Sequence, residues 1–246
     1  MIIVIPMAGK GDRFFKAGYK IPKYMIQAKD KTLFEYSLSS LPLDIAKKII
    51  FVGLSEHNEK YNLTEFINKK IKILSKNINY EIVLINEITG GQAETVLKAK
   101  DFLNQDEDLM IYNIDTYFYS KNLKEKLLDK TKKKDGIIGA FKIDFPDNKW
   151  SYARINSAEK VIETTEKIPI SNYALTGLYH FTRAKDFLNI AESHIASNKK
   201  ELNEFYVAPM YNDLIKRGKE FVLDVAEDFI PLGVPQDVEV FLNDKK

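Results

Sequence analysis

The chain has 246 residues, 45% of them hydrophobic, and 37 basic side chains nearly balance 35 acidic ones, for a net charge of +2. A chain of this length can bury a large core in one domain, and a near-neutral surface has no overall field to attract nucleic acid or a membrane. The absence of cysteine excludes disulfides, thiolate metal sites and cysteine nucleophiles. We therefore expect one domain, residues 1–246, in a soluble cytoplasmic protein.

Short β-branched runs alternate with amphipathic segments in residues 1–135, which predicts a mainly parallel sheet with helices on both faces. The predicted strands are 2–5, 48–52, 81–85 and 109–114, and the predicted helices are 33–41, 63–71 and 93–103. The opening apolar run lacks a basic leader and is too short to cross a bilayer, so it is assigned to the first strand.

The pattern changes in residues 136–246, where strand-like runs follow one another with short connections. The predicted strands are 137–143, 151–155, 160–164 and 175–181, and these short connections are typical of antiparallel additions to a sheet. Helices over 184–195 and 206–216, a strand over 221–225 and a helix over 235–242 complete the predicted order. The fold class is therefore α/β.

A glycine-rich loop follows the first predicted strand and contains Met7, Ala8, Gly9, Lys10, Gly11 and Arg13. Glycine lets backbone N–H groups approach an anion closely, and the loop cations, with Lys23 shortly after, would neutralise a polyphosphate. A dinucleotide fingerprint would need a third glycine at Phe14, and a Walker loop would need a Gly-Lys-Ser/Thr that does not occur. The loop thus predicts a different kind of phosphate site.

The spacing A-G-x-G-x-R-F followed by P-K-x-x-I resembles the signature of the sugar-phosphate nucleotidylyltransferases, a family that includes cytidylyltransferases acting on other phosphates. The resemblance implies a Rossmann-like fold, Mg²⁺ as cofactor, and a nucleoside triphosphate and a small phosphorylated acceptor as partners. It assigns residues 1–135 to the nucleotide and 136–246 to the acceptor. The resemblance also implies catalytic roles for Arg13 and Lys23 and nucleotide contacts for residues 7–11.

Two further motifs follow predicted strands, at the edge of a parallel sheet where ligands bind. Gly90, Gly91 and Gln92 resemble the family's second glycine loop, which contacts base and ribose, although the same residues also suit a turn and helix start. Asn113 is a further candidate for contact with the nucleotide. Asp115 ends a buried strand and could bind Mg²⁺, although it could also cap the next turn.

The acceptor side carries an altered form of the family pattern. Glu166 and Lys167 resemble its E-K-P segment with one residue inserted before the proline, and Thr176 lies in the following strand. These three are candidates for acceptor binding, although Glu166 could instead form an ion pair at a strand edge. Trp150, with Tyr152 and Arg154, could line the acceptor pocket or form a half-buried strand.

The C-terminal turn departs from the family. Pro231 stands where sugar-specific members carry a metal-binding aspartate, which leaves Asp237 as the candidate second ligand, although an acid at a helix start also suits the helix dipole. With the altered E-K-P, this favours CMP transfer from CTP to a non-hexose phosphate, for which phosphoglutamine, in capsule or surface polysaccharide modification, is the specific expectation. That acceptor rests on analogy.

Other functions remain open from the sequence. One is a sugar 1-phosphate uridylyl- or thymidylyltransferase, and another is a nucleotide-binding module without catalysis. A glycosyltransferase would need a D-x-D motif, and Asn113 replaces its first acid. The three histidines show no triad spacing. A homo-oligomer is possible.

Overall fold

The computed structural model describes residues 1–75, 77–131 and 134–244. The strands are β1 Ile2–Pro6, β2 Gln27–Ala28, β3 Lys31–Thr32, β4 Lys48–Leu54, β5 Asn79–Ile85, β6 Leu109–Tyr112, β7 Thr116–Tyr119, β8 Gly136–Lys142, β9 Ser151–Ile155, β10 Val161–Glu166, β11 Tyr173–Phe181, β12 Phe221–Val225 and β13 Asp228–Pro231. The α-helices are α1 Asp12–Lys16, α2 Leu33–Ser39, α3 Ser55–Tyr61, α4 Leu63–Leu74, α5 Gln92–Leu97, α6 Leu123–Leu128, α7 Ala184–Ala196, α8 Met210–Lys216 and α9 Pro235–Asn243. Short 3-10 turns cover Lys23–Met25, Leu43–Ile45 and Lys100–Phe102.

One large sheet organises the molecule. Strand β1 pairs in parallel with β4 and β6, and β5 extends the parallel part beyond β4. On the other side, β11 runs antiparallel between β6 and β8, and β12 continues in parallel with β8. Strands β9 and β10 form an antiparallel extension beside β11. The predicted mixed, mainly parallel sheet with an antiparallel extension is confirmed.

Alternate residues of β1 enter opposite faces of the sheet, as strand geometry requires. Ile2 and Val4 pack with α5, α7 and α8, whereas Ile3 and Ile5 pack with α2, α4 and α6. This run is buried on both faces, which explains why it is continuously apolar. The prediction that helices cover both faces is therefore confirmed.

Several predicted boundaries are wrong. The helix predicted over 93–103 ends at Leu97 and continues as the separate 3-10 turn Lys100–Phe102, a tightening that is common at helix ends. The helix predicted from 206 begins at Met210, after Pro209, because proline disfavours helical backbone in the residue before it. The strand predicted over 109–114 ends at Tyr112, and the chain then turns into β7.

A small second sheet was not predicted. Strand β7 pairs antiparallel with β13, a segment more than a hundred residues later, and joins Thr116 to Pro231. The Leu232 N–H donates to the Asp115 carbonyl at 2.9 Å. This pairing brings the C-terminal turn against the turn that follows β6. Among the described residues, no helix is long and apolar enough to cross a membrane.

Candidate active site

A cavity of about 710 Å³ opens at the carboxyl ends of β1 and β6. Its wall includes most of the residues singled out from the sequence: Met7, Ala8, Gly9, Arg13, Lys23, Gln92, Asn113, Asp115, Glu166, Lys167, Thr176 and Asp237. The fold therefore brings segments from both halves of the chain to one place. Four sequence candidates, Lys10, Gly11, Gly90 and Gly91, are not among the lining residues.

The glycine loop connects β1 to α1. The backbone at Gly9 is open, since a Cβ there would meet no atom within 4 Å. Gly11 has φ +73°, the left-handed conformation that favours glycine, and α1 begins at the next residue. Gly11 therefore supports the turn, while Met7, Ala8 and Gly9 supply the backbone that lines the cavity.

Gly90 and Gly91 lie against the loop that precedes α8. The Phe205 N–H donates to the Gly90 carbonyl and the Ala93 N–H donates to the Phe205 carbonyl, both at 2.9 Å. A Cβ on Gly91, whose φ is +150°, would lie 2.4 Å from the Phe205 nitrogen. Close backbone packing thus explains this glycine pair, in agreement with the alternative of a turn and helix start.

Gly91→Ala is expected to destabilise the fold by about 2–4 kcal/mol, because a left-handed φ and a backbone clash act together. The free energy of unfolding from urea titration measures this. Gly9→Ala is the control, since its Cβ enters open space, and we expect a change within about 0.5 kcal/mol for it. Equal stability of the two variants would contradict the packing role.

An ion pair lines the cavity. Lys23 Nζ lies 2.6 Å from Asp115 Oδ2, and the two side chains are 22% and 23% exposed. Burial by itself would raise the pKa of Asp115, but the Lys23 ammonium, with help from Arg13, outweighs it and holds that pKa below its ordinary value. The carboxylate is therefore charged and faces two cations. The hydrogen bond to Lys23 does not support the alternative in which Asp115 caps a turn.

An amide pair on the cavity wall joins two of the residues predicted to contact the nucleotide. Gln92 Nε2 donates to Asn113 Oδ1, and the Asn113 N–H donates to the Gly177 carbonyl at 3.2 Å. Gly177 has φ +85°, and a Cβ there would lie 2.5 Å from Asn113 Nδ2. Strand β11 therefore helps to fix the Asn113 and Gln92 side chains, whose remaining polar atoms can meet a base edge.

Glu166, predicted to bind the acceptor, ends β10, lines the cavity and is 9% exposed. The Ser151 hydroxyl donates to Glu166 Oε2 at 2.5 Å, and Glu166 forms no ion pair with a described residue. Burial raises the pKa of this carboxyl, and Glu204 and Glu201 add to the shift. The alternative of a strand-edge ion pair is not observed.

Lys167 takes the left-handed conformation with φ +57° at the end of β10. Its N–H donates to the Trp150 carbonyl at 3.0 Å, and its ammonium donates to the Tyr206 hydroxyl at 3.2 Å. Burial opposes the charge, but the Tyr206 hydroxyl and Glu166 raise the pKa of Lys167 above its ordinary value. This part of the cavity therefore carries the Lys167 ammonium beside a buried carboxyl whose pKa is raised.

Glu166→Gln is expected to raise the melting temperature near pH 8 by a few degrees and to change it little near pH 4. The native state keeps the carboxyl proton more firmly than the unfolded state, so wild-type stability falls as pH rises from about 4.5. Thermal melts across this range test the sign. Glu163→Gln, at an exposed ion pair with Arg154, is the control and should show no such trend.

Thr176 and Asp237 line the cavity in different ways. Thr176 Oγ1 is buried and has no hydrogen-bond partner among the described residues, and a Cβ added to Gly139 would lie 2.3 Å from it. Asp237 Oδ1 accepts from Lys149 Nζ at 2.8 Å, while its Oδ2 is buried and has no partner in the described part of the chain. Asp237 and Asp115 both line the cavity.

Sequence reasoning missed several lining residues: Ile88, Thr89, Thr95, Thr116, Ser151, Tyr179, Glu204, Tyr206, Gly233 and Val234. Of the three aromatic-strand candidates, Trp150 lines the cavity, Tyr152 is buried in the core and Arg154 is exposed. Glu204 and Tyr206 lie in the loop before α8, which was predicted as helix from 206. The hydrogen bonds of Phe205 to Gly90 and Ala93 bring this loop to the site, and no local pattern predicts them.

The model of the nucleotidyl transferase family matches residues 2–225. The chain belongs to this family. The resemblance seen in the sequence is thereby confirmed. A nucleoside-diphosphate-sugar pyrophosphorylase from Vibrio cholerae RC9 is 35% identical, with a TM-score of 0.82, and the match covers 98% of this chain and 100% of that one.

Two curated relatives match over shorter segments. A 2-C-methyl-D-erythritol 4-phosphate cytidylyltransferase from Wigglesworthia glossinidia brevipalpis is 29% identical over 52% of this chain and 50% of its own length. A glucose-1-phosphate thymidylyltransferase from Neisseria meningitidis serogroup A is 22% identical over 75% of this chain and 62% of its own. The chain therefore spans less than two thirds of these nucleotidyl transferase relatives.

Proposed function

We propose that the protein transfers a nucleoside monophosphate from a nucleoside triphosphate to the phosphate of a small acceptor and releases pyrophosphate. The observation that carries this proposal is the Lys23–Asp115 pair, which lies with Arg13 and the glycine loop on one cavity wall. Cations, an acid and open backbone at strand ends suit a metal-bound triphosphate.

In this reaction an oxygen of the acceptor phosphate attacks the α-phosphorus in line. A new phosphorus–oxygen bond forms as the bond to the β-phosphate oxygen breaks, and pyrophosphate leaves with that oxygen. Positioning and charge neutralisation account for most of such catalysis. Arg13 and the loop amides would hold the β- and γ-phosphates, and Lys23 would neutralise charge that develops at the α-phosphate.

The residues present fit Mg²⁺. Asp115 offers a charged carboxylate on the cavity wall, and Asp237 Oδ2 is a buried oxygen that no described residue hydrogen-bonds. Magnesium in nucleotide sites takes one or two carboxylates together with phosphate oxygens and water. Within the described ranges, no cluster of three or more His, Cys, Asp or Glu side chains could hold a metal. The ion would neutralise phosphate charge.

For the nucleotide, the proposal is CTP, and for the acceptor a phosphorylated compound other than a hexose, with phosphoglutamine as the specific case. The cytidylyltransferase relative and Pro231 on the cavity wall support it. Capsule or surface polysaccharide modification would be the setting. The second candidate is nucleotidyl transfer to a sugar 1-phosphate, which the printed names of the Vibrio and Neisseria relatives favour.

A pyrophosphate-release screen tests these proposals. CTP, UTP, dTTP, ATP and GTP are each combined with phosphorylated amino acids, amino alcohols and sugars in the presence of Mg²⁺. Release with CTP and a non-hexose phosphate supports the first proposal, whereas release with UTP or dTTP and a hexose 1-phosphate supports the second. If the protein binds nucleotide but no pair releases pyrophosphate, both proposed activities are overturned, and a nucleotide-binding module without catalysis is the function that remains.

A further inference from the structure

The turn that carries Lys23 has two sides with different surroundings. Lys23 lines the cavity, while the next side chain, Tyr24, is 2% exposed and lies in the core beneath α2 and α4. The Tyr24 ring packs against Phe66 of α4 with centroids 6.4 Å apart. The residue beside the proposed catalytic lysine is thus anchored in the core.

A buried hydrogen bond links this turn to α3. The Tyr24 hydroxyl lies 2.8 Å from Nδ1 of His57, which is 4% exposed. Burial raises the pKa of Tyr24 and lowers that of His57, so the phenol keeps its proton and the imidazole is neutral. His57 Nδ1 accepts from the Tyr24 hydroxyl in the tautomer whose ring proton is on Nε2, and donates to it in the other tautomer.

Two backbone hydrogen bonds of the turn are local, and a third leads out of it, because the Leu33 N–H donates to the Ile26 carbonyl at 3.0 Å. The Met25 N–H donates to the Pro22 carbonyl and the Ile26 N–H to the Lys23 carbonyl, both within the segment itself. Across the described part of the chain, the side-chain hydrogen bonds that tie residues 22–26 to the rest of the molecule are Lys23 to Asp115 and Tyr24 to His57. Under the proposed function Lys23 turns from Asp115 to the phosphates, and the Tyr24–His57 bond is then the side-chain hydrogen bond that still ties this turn to the rest of the described chain.

We propose that Tyr24 and His57 are positioning residues for the transfer reaction and that their hydrogen bond holds the turn so that the Lys23 ammonium points into the cavity. The inference rests on the proposed role of Lys23. Apolar packing alone is non-directional, whereas a buried hydrogen bond has a fixed distance and direction. A small displacement of a group that acts at the transition state is costly to rate.

Tyr24→Phe tests this, because it removes the hydroxyl and keeps the ring. We expect kcat to fall roughly 5- to 50-fold with the nucleotide KM changed less than about 2-fold, measured well below the melting temperature on protein shown to be folded. His57→Gln, with Tyr24 intact, should keep most of the wild-type kcat, because the glutamine oxygen can accept from the Tyr24 hydroxyl.

The matched control is Tyr61→Phe, which removes a hydroxyl from a ring 6.0 Å from the His57 ring but breaks no hydrogen bond to a described residue. We expect wild-type kinetics for it. An unchanged kcat in Tyr24→Phe, or an equal loss in Tyr61→Phe, would overturn the proposal.

A second measurement does not depend on activity. Lys23 acylation by a small amine-reactive reagent, followed by mass spectrometry, should be several-fold faster in Tyr24→Phe than in wild type, with Lys20 labelled equally in both. Equal labelling of Lys23 would also overturn the positioning role. If wild type releases no pyrophosphate in any pair, the proposed function fails, and the labelling result still decides whether Tyr24 orders the turn.

Discussion

Lys23→Ala is expected to lower kcat by about 10²–10³-fold while the nucleotide KM changes only modestly. The lysine lines the cavity, 2.6 Å from Asp115, and its side chain is mostly shielded from water, where a fixed charge acts more strongly than in bulk solvent. Because the proposed role concerns charge that develops during transfer, its loss should affect the transition state more than nucleotide binding.

Steady-state kinetics with the CTP and acceptor pair from the screen measure the effect. Lys20→Ala is the matched control, since it removes an exposed cation three residues earlier that does not line the cavity. Lys23→Arg keeps the positive charge but replaces the compact ammonium with a planar guanidinium, and we expect a kcat between those of Lys23→Ala and wild type. Near-normal turnover of Lys23→Ala would refute the catalytic role.

Asp115→Asn is expected to reduce activity by at least about 10²-fold and to raise the Mg²⁺ concentration needed for half-maximal rate. The change keeps size and shape but removes the charge that a divalent ion requires. It also leaves Lys23 beside a neutral amide, close to Arg13. Magnesium titration of the rate at saturating nucleotide measures the shift.

Two matched variants separate the roles of the acids. Asp237→Asn should also raise the Mg²⁺ requirement if its unpartnered Oδ2 is the second ligand, and should leave it unchanged if Asp237 only pairs with Lys149. Asp12→Asn removes an exposed acid that does not line the cavity and should match wild type. A wild-type Mg²⁺ profile for Asp115→Asn would exclude it as a metal ligand.

The glycine loop shows why part of the site could be predicted. Its backbone and its cations lie within about one strand and one turn of sequence, so spacing alone distinguishes it from the dinucleotide and Walker loops. The alternation of strands and helices likewise predicted the sheet, because short apolar runs differ from segments with the helical hydrophobic period. The roles of the loop residues remain predictions until they are tested by kinetics.

Local pattern was a poorer guide where tertiary packing competes with it. Gly90 and Gly91 match a nucleotide-binding pattern, yet they lie off the cavity wall and pack against Phe205. Tyr206 was predicted at the start of a helix, but it lies in a loop that lines the cavity, where its hydroxyl accepts from Lys167. Both outcomes depend on the hydrogen bonds of Phe205 to Gly90 and Ala93, which join segments more than a hundred residues apart.

By itself, the sequence determined the α/β class and the family, because these depend on short-range spacing and hydrophobic period. Only the tertiary structure decided which charges meet. The β7–β13 pairing places the Asp115 turn against Leu232, the Tyr24–His57 hydrogen bond links the turn of Lys23 to α3, and Lys23 meets Asp115 at 2.6 Å. Such contacts depend on how distant segments pack, and no local pattern encodes that packing.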